Sequence, residues 1–373
     1  MSYSDPKGQQ NMFSDTLRNR FYFEAIQKTV HNDSIVMDLG AGLGLHGFMA
    51  SSCGAKKTYL VEPTPILDIS KKVVEANGLA KKVECISGTI EKVALPEKVD
   101  VIISVFTGNF LLSEDLLPSL FYARDKYLHP GGKMIPDRAT MVVAPVSSPD
   151  YYAEKIDFWL NPSYDIDYSS VRNYAANTLY YDGPKNRKSH FLAEPSTLLE
   201  LDFMTAKEAE CRSKIEIEIT ENGTMHGCLG WFDARVGDKW LSTSPVEEQM
   251  HWRQVFLPSN NPMNVYKGDI ISFELIRPES GDWNWIFEYN GKRQKHSTFL
   301  SHPQKMKELL KLANGYKGNL SQKGQVTQEA FKLMNGENTT KTIIAELVKK
   351  YPDYFTNEKE AVSFVKDIVA YYT

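Results

Sequence analysis

Short aliphatic segments alternate with helix-like segments from about residue 12 to residue 146. The aliphatic segments are SIVMDLG, KKTYLVEP, KVECISG, VDVIISVF and GKMIPDRATMVVAPV. Aliphatic runs of this length, separated by helices, are typical of parallel strands connected by βαβ crossovers. The segment TPILDISKKVVEANGLA carries apolar residues at helical spacing and ends at Asn77-Gly78, a helix-stop signal. This region is therefore predicted to be an α/β domain with a parallel sheet.

The pattern changes between about residues 147 and 300. SKIEIEIT alternates apolar and polar residues, and MHGCLGWFDARV, QMHWRQVFLP, GDIISFELIRP and WNWIFEYNGK are also predicted to be strands. Such segments joined by turns predict an antiparallel β-barrel or sandwich. An aromatic and polar insertion at about 156–190 shows no strand pattern and is expected to protrude from it.

The last region, residues 301–373, is helical and basic, with eleven lysines against eight acidic residues. QVTQEAFKLMNG ends on a helix-stop signal, and NTTKTIIAELVKKYP begins with a capping residue and ends before Pro352. NEKEAVSFVKDIVAYY is predicted to be a third amphipathic helix. The chain therefore divides into three expected domains, at 12–146, 147–300 and 301–373.

Composition narrows the class of protein. A net charge of −4 and a pI near 6.1 argue against a general nucleic-acid binder. The four cysteines form no CxxC pair and stand near no histidine cluster, so neither a zinc site nor a disulfide framework is expected. The N-terminus has no signal-peptide pattern, and no apolar run approaches the roughly 20 residues that span a bilayer. We therefore expect a soluble cytoplasmic protein with no metal, membrane or nucleic-acid partner.

A glycine-rich turn follows the first predicted strand. In VMDLGAGLG, Asp38 stands at the strand end, and Gly40, Gly42 and Gly44 follow it. Glycines allow a tight strand-to-helix turn and let a ligand approach main-chain N–H groups without interference from a Cβ atom. The spacing is GxGxG rather than the GxGxxG of dinucleotide-binding proteins. Glu62, at the end of the next strand, can accept both hydroxyls of a ribose.

A third element of the same site follows the next strand. In SGTIEKVALP, Thr89 and Glu91 are expected to frame an adenine edge. Taken in this order, the three elements resemble the S-adenosylmethionine site of a Rossmann-like methyltransferase. The alternative is that Asp38 and Glu62 only cap the ends of their strands.

Longer segments resemble the protein arginine methyltransferase family from about residue 12 to residue 300. MFSDTLRNRFYFEAI is similar to the helix before the glycine turn in that family, and YARDKYLHPGGKMIPDRATMVVAP follows the family almost residue for residue. STSPVEEQMHWRQVFLP resembles its Thr-His-Trp segment. The resemblance implies a Rossmann-like cofactor-binding domain followed by a β-barrel, with the insertion at 156–190 as a dimerisation arm. The alternative, which the aromatic content of the insertion also suits, is an intramolecular lid. The resemblance also implies a homodimer that acts on a peptide or protein.

The resemblance assigns roles to individual residues. Arg18 would pair with the cofactor carboxylate as a bidentate clamp; the alternative is a surface arginine on an amphipathic helix. Asp15 would pair with His251 in a His–Asp relay; the alternative is that His251 is an ordinary strand histidine. Trp252 is kept, and Met250 replaces the threonine of the family.

The loop VFTGNFLLSED departs from the family. The family holds a substrate guanidinium between two glutamates, whereas here Glu114 is kept and Val105 replaces the first one. A guanidinium is a planar cation with five donors, so a desolvated one beside a single carboxylate is only half paired. The substrate pocket is assigned to Val105, Phe106, Asn109, Met250 and Trp252, and the catalytic residues to Glu114, His251 and Asp15.

One carboxylate suits a neutral nucleophile better. Glu114 would accept the N–H of an imidazole and leave the lone pair of its other nitrogen facing the methyl group. The leading hypothesis is therefore methyl transfer to a histidine or another non-guanidinium side chain of a peptide. Two alternatives stay open: an arginine N-methyltransferase that tolerates Val105 or methylates a small free guanidine compound, and a catalytically inactive peptide-binding scaffold. A second departure is that residues 1–11 lack the tyrosine-rich helix that usually covers the cofactor, and Tyr3 alone cannot replace it.

Residues 301–373 have no counterpart in the minimal family member. They resemble the small winged-helix domains that recognise leader peptides in ribosomal natural-product pathways, through the Leu-Met-Asn-Gly helix ending, TTKTIIAELVKKYP and a closing helix rich in valine and isoleucine. The resemblance implies that the domain binds a leader segment along a strand edge or a helix groove, which raises the effective concentration of the tethered acceptor. The alternative is a helical tail that packs on the barrel.

Overall fold

The computed structural model describes residues 5–161, 164–181 and 189–372. Its first part alternates helices and strands in the order α1 (Pro6–Phe13), α2 (Thr16–Thr29), β1 (Ile35–Leu39), α3 (Leu45–Ser52), β2 (Lys57–Glu62), α4 (Leu67–Ala76), β3 (Val83–Ser87), β4 (Val99–Ser104), α5 (Leu117–Tyr127) and β5 (Leu128–Ile135). The strands form one parallel sheet in the order β3-β2-β1-β4-β5. The predicted α/β, Rossmann-like region is thereby confirmed. In such sheets ligands bind at the carboxyl ends of the strands where the order reverses, here between β1 and β4.

The central strands are apolar along almost their whole length. Met37 of β1 lies opposite Tyr59 of β2 on one side and Ile102 of β4 on the other, and all three side chains are buried. Because helices cover both faces of a parallel sheet, a central strand offers few places for a polar side chain. The polar side chains Asp38 and Glu62 accordingly lie at the ends of β1 and β2, beside the order reversal.

The second part is antiparallel, as predicted. Its strands are β6 (Arg138–Ser147), β7 (His190–Phe191), β8 (Ser196–Asp202), β9 (Cys211–Glu218), β10 (Gly223–Val236), β11 (Lys239–Ser242), β12 (Val255–Val265), β13 (Ile270–Arg277), β14 (Asn284–Tyr289) and β15 (Lys292–Ser297). One sheet contains β11-β10-β6-β7, with β12 on β10 and β8 on β6, and the other has the order β15-β14-β13-β9. Together they form the barrel-like region.

Two expected boundaries differ in the structure. β6 pairs with β8 and β10 rather than with the parallel sheet, so the antiparallel region begins at Arg138 and not after residue 146. The segment QMHWRQVFLP was predicted to be one strand, but β12 starts only at Val255. The preceding residues form a loop, because their side chains and backbone groups bond to other parts of the chain, Asp15 among them.

The insertion follows α6 (Pro149–Lys155) and contains α7 (Arg172–Ala175) and two short 3₁₀ helices, Asp157–Leu160 and Ser169–Val171. Part of the predicted arm, at 162–163 and 182–188, lies outside the described residues. Arg172 ties the described part together, since its guanidinium contacts the Asp157 carboxylate at 2.9 Å and donates to the Asn260 carbonyl at 2.8 Å. The insertion is thus built against β12.

The residues Gln304–Thr373 form a compact unit distinct from Met1–Pro303. Its helices are α8 (Met306–Lys311), α9 (Gln322–Leu333), α10 (Thr340–Lys350) and α11 (Glu358–Tyr372), so the three predicted helices are present. Val326, Leu347 and Val365, one from each of the last three helices, are fully buried in its core. No strand occurs in the described residues of this unit, so they contain no β-hairpin wing. The expected winged-helix form is therefore not what these residues adopt.

Within the part of the chain that the structure describes, no helix is long and apolar enough to cross a membrane. The same residues contain no group of three or more His, Cys, Asp or Glu side chains placed to hold a metal ion.

Candidate active site

A cavity of about 280 Å³ opens at the carboxyl ends of β1, β2 and β4. The residues that line it come from α1, α2, the glycine turn, the start of α3, the end of β2, the loop after β4 and the loop before β12. A larger groove of about 680 Å³ lies at the amino ends of the sheet, but no glycine-rich turn after a strand end lines it. Lys28 and Asp238 of that groove already pair with each other at 2.8 Å. The smaller cavity, at the order reversal, is therefore the candidate active site.

The glycine turn has a backbone that other residues would adopt only under strain. Gly40 and Gly42 have φ angles of 68° and 53°, and Gly44, with φ 85°, is the N-cap of α3. A Cβ atom on Gly40 would lie 2.3 Å from the Phe106 ring, and one on Gly42 would lie 2.6 Å from Oε1 of Gln9. Glycine is needed here both for the left-handed conformation and for the space beside the cavity.

The two acids at the strand ends have different roles. Asp38 is buried, and its Oδ2 accepts a hydrogen bond from the Gly47 backbone N–H at 2.7 Å. Burial raises the pKa of Asp38 to about 7. Asp38 is not among the cavity-lining residues, so it holds the turn and α3 together. Glu62 does line the cavity, and it accepts from the backbone N–H groups of Gly42 at 3.0 Å and Thr64 at 2.8 Å. Each carboxylate oxygen has a further lone pair for a ligand hydroxyl.

Thr89 and Glu91 are placed elsewhere. Neither lines the cavity, and the Ser119 hydroxyl donates a hydrogen bond to the Glu91 carboxylate. Pro63 and Thr64, directly after Glu62, supply cavity wall instead. Their contribution was missed because a residue that follows a strand end carries no distinctive sequence signal.

Arg18 is buried beside the cavity, with 2% of its surface exposed, which excludes the surface-arginine alternative. Its Nη2 donates to the Met12 carbonyl at 2.7 Å, and Nε and Nη2 both donate to Oδ1 of Asn19. Its Nη1 is buried and has no hydrogen-bond partner among the described residues. An unpaired guanidinium N–H at the cavity is a donor ready for an anionic ligand group.

The structure brings Asp15 and His251 together, although 236 positions separate them in the chain. Oδ2 of Asp15 lies 2.7 Å from Nδ1 of His251 and accepts from its backbone N–H at 2.8 Å. Burial, together with the positive charge of Arg18, lowers the pKa of His251, although the hydrogen bond and charge of Asp15 act to raise it. Burial tends to raise the pKa of Asp15, but hydrogen bonds from His251 and Arg18 outweigh it, so this pKa is lowered. The imidazole of His251 is therefore neutral, and its Nδ1–H donates to the Asp15 carboxylate. Its Nε2 is left as a proton acceptor.

Helix α1 covers part of the cavity, whereas the sequence left the covering of the cofactor open. Gln9, Met12 and Phe13 of α1 line the cavity. The side chain of Asp5 caps the helix by accepting from the Gly8 N–H at 2.8 Å, and Pro6 occupies its first turn. Residues 1–11 contain a single tyrosine, Tyr3, rather than a tyrosine-rich helix, but their Asp-Pro pair is a helix-start signal.

The loop after β4 is held at several points. The Trp252 indole donates to the Thr107 carbonyl at 2.7 Å, and the Arg253 N–H donates to Oδ1 of Asn109 at 2.7 Å. Asp115 forms an ion pair with the buried Arg277 at 2.6 Å. Of the predicted pocket residues, the cavity is lined by Val105, Phe106 and Trp252, together with Glu114. Asn109 instead holds the loop, and Met250 is buried in the main core.

The chain is similar in sequence to known arginine methyltransferases. Residues 137–290 match the family model described as the arginine methyltransferase oligomerization subdomain. Protein arginine N-methyltransferase 1 of Schizosaccharomyces pombe is 33% identical over 291 residues, covering 75% of this chain and 85% of that protein. The Dictyostelium discoideum protein of the same name is 32% identical over 280 residues, covering 73% and 81%.

Solved structures agree with this. The Trypanosoma brucei PRMT1 enzyme-prozyme heterotetrameric complex with AdoHcy has a TM-score of 0.73 and 26% identity, covering 80% of this chain and 99% of that one. Arabidopsis thaliana protein arginine methyltransferase 10, in an open conformation, has a TM-score of 0.67 and 27% identity, covering 79% and 99%. S-adenosylmethionine is the cofactor, and the cavity fits it, since Arg18 offers a buried unpaired donor and Glu62 offers free lone pairs. The chain therefore belongs to the protein arginine methyltransferase family.

Proposed function

We propose that this chain transfers a methyl group from S-adenosylmethionine to a side-chain nitrogen of arginine in a peptide or protein, in the cytoplasm. The carrying observation is that the glycine turn, Arg18, Glu114 and the Asp15–His251 pair meet at one cavity. The names of the relatives, arginine N-methyltransferases, favour arginine over the histidine-like acceptor that the loop alone suggested. A complete cofactor site also argues against an inactive scaffold, because a protein that only binds peptide has no need of it.

The chemistry divides between the two ends of the cavity. Bound S-adenosylmethionine supplies a methyl group on a positively charged sulfur. Arg18 and Glu62 hold the cofactor end, while Glu114 accepts N–H groups of the acceptor side chain and turns one nitrogen toward the methyl group. That nitrogen forms a bond to carbon as the carbon–sulfur bond breaks, and it must lose a proton. Neutral His251, held by Asp15, offers Nε2 to take that proton, and α1 helps to exclude water.

Val105 supports a second candidate, an acceptor without a guanidinium. Its side chain lines the cavity beside Phe106. At this position the resemblance to the family leads one to expect a second glutamate. The described residues that line this cavity include two carboxylates, and one of them, Glu62, is bonded to the glycine turn. A neutral imidazole, with one N–H for Glu114, needs no second carboxylate.

Replacing Val105 with glutamate separates the two candidates. With an arginine acceptor, the new carboxylate pairs with the guanidinium, and we expect kcat/KM for an arginine peptide to rise about tenfold. Mass spectrometry of methylated peptides measures the product, and Val105→Gln, similar in size but uncharged, is the control. If Val105→Glu methylates a histidine peptide less and yields no methylarginine, the acceptor is not arginine.

The insertion supports a homodimer. Its described part exposes apolar side chains, including Phe158 at 58% and Ile166 at 53%, and it lies inside the matched oligomerization subdomain. Burying such a patch is favourable in proportion to its apolar area. We expect sedimentation equilibrium to give a dimer, and Phe158→Asp to shift it toward monomer. Tyr266→Asp, at an exposed residue outside the insertion, is the control and should leave the dimer intact. A monomeric wild type would contradict the proposal.

The unit at 304–373 is proposed to bind a leader segment of the substrate peptide, such as a ribosomal natural-product precursor. Because its described residues are helical, a groove between helices is the binding mode that they offer. We expect deletion of 304–373 to raise KM for a full-length precursor at least about tenfold, through loss of effective concentration. Calorimetry with S-adenosylhomocysteine should show unchanged cofactor binding. An unchanged KM for the precursor supports a packing tail instead.

A further inference from the structure

His46, in the segment LGLHGFMA, is a residue of the cavity to which the preceding mechanism gives no role. It lies in the first turn of α3, directly after the glycine turn, and it lines the cavity. Its side chain is buried, with 6% of the residue exposed. Its ring lies on that of Tyr22, with centroids 4.5 Å apart and planes 30° apart, which holds the imidazole in one orientation.

Two buried nitrogen atoms of this cavity have no hydrogen-bond partner among the described residues. One is Nη1 of Arg18 and the other is Nε2 of His46. Native proteins leave few buried polar atoms unpaired, because each loses its hydrogen bonds to water without replacement. The hydroxyl oxygens of Thr64 and Thr107, which also line the cavity, are likewise buried without a partner among the described residues. The two nitrogens differ from them in being N–H donors of planar groups, so a ligand group that accepts hydrogen bonds can bond to both.

The charge around His46 determines what that group is. Burial and the positive charge of Arg18 lower the pKa of His46 to about 3. The imidazole is therefore neutral at physiological pH and carries one N–H. The guanidinium and the amino end of α3 both favour a negative charge at this place. A carboxylate offers two oxygens, one for each unpaired nitrogen.

We propose that the Nε2–H of His46 donates a hydrogen bond to the carboxylate at the amino-acid end of the cofactor, beside the bond from Nη1 of Arg18. His46 is then a second carboxylate-binding residue, and it selects for ligands that carry the amino-acid end. The inference rests on the proposed function only for the identity of the cofactor. In this role His46 contributes to ligand selectivity and takes no part in proton transfer.

Calorimetry with two ligands tests the assignment. S-adenosylhomocysteine carries the amino-acid end, and 5′-methylthioadenosine has the same adenosine and thioether but lacks it. We expect His46→Leu to weaken S-adenosylhomocysteine binding at least about tenfold, the worth of a hydrogen bond to a charged group. The same variant should leave 5′-methylthioadenosine binding within about twofold, since no bond to that ligand is lost.

Two conservative variants guard against a folding defect. The amide nitrogen of glutamine reaches about as far as Nε2 and that of asparagine about as far as Nδ1, so His46→Gln should retain affinity and His46→Asn should not. Equal losses for both ligands, or no loss for S-adenosylhomocysteine, would overturn the assignment. An equal loss of affinity for decarboxylated S-adenosylmethionine, which lacks the carboxylate but keeps the amine, would also overturn the assignment. If wild type does not bind S-adenosylhomocysteine at all, the proposed function itself fails.

Discussion

Glu114→Gln is expected to lower kcat/KM for the substrate peptide at least about hundredfold and to leave S-adenosylhomocysteine affinity within about twofold. Glutamine has the shape of glutamate, but it has no negative charge and turns an NH₂ donor toward the N–H groups of the acceptor. Glu114 lies on the cavity wall with Val105 and Phe106, whereas Glu62 is at the cofactor end. The loss should therefore fall on methyl transfer and not on cofactor binding.

Glu91→Gln is the matched control for this experiment. Glu91 follows β3 at the same edge of the sheet, but the structure places its carboxylate on Ser119 and not at the cavity. We expect its cofactor affinity and kcat/KM to equal those of wild type. Weaker cofactor binding by Glu91→Gln would support the adenine contact that the sequence suggested. Full activity of Glu114→Gln would remove Glu114 from the mechanism.

Arg18→Met is expected to weaken S-adenosylhomocysteine binding about hundredfold, because one charged hydrogen-bond donor to a buried carboxylate is worth about 2–3 kcal/mol. Methionine fills most of the space of the arginine stem but supplies no donor. The change also removes the bond from Nη2 to the Met12 carbonyl at the end of α1. Calorimetry measures the affinity, and thermal unfolding with and without ligand shows whether the variant still folds.

Arg20→Met is the control for Arg18. Both arginines belong to α2 and carry the same charge, but Arg20 is exposed and does not line the cavity. A fall in affinity for Arg18→Met alone assigns the effect to the buried donor. Similar falls for both variants would indicate a general effect of positive charge, and no fall for Arg18→Met would contradict its role.

The elements that sequence predicted well are those formed by local pattern. The parallel strands appear as buried aliphatic runs, and the glycine turn appears as closely spaced glycines after a strand end. The three C-terminal helices appear as apolar residues at helical spacing with caps, for example Thr339, whose side chain accepts from the Thr342 N–H. Each depends on residues within a few positions of one another, so the periodicity and caps carry the information.

The predictions that failed depended on partners far away in the chain. Strand β6 was assigned to the parallel sheet because its composition suits either sheet, and only pairing with β10 decides the matter. The contact of Thr89 and Glu91 with the cofactor stays a prediction, since they follow β3, the edge strand farthest from the order reversal, and do not line the cavity. The winged-helix form expected of the C-terminal unit came from a resemblance of helices, which does not specify a hairpin.

By itself, the sequence determined the alternation of strands and helices, the glycine turn after β1 and the acidic residue at the end of β2. These features are local, and they follow from burial and backbone sterics. Only the tertiary structure decided which side chains share a cavity. It brought Asp15 to His251, placed α1 over the glycine turn, and left Nη1 of Arg18 and Nε2 of His46 buried without partners among the residues that the structure describes. Burial and hydrogen-bond pairing depend on contacts between distant segments, and no local pattern in the chain records them.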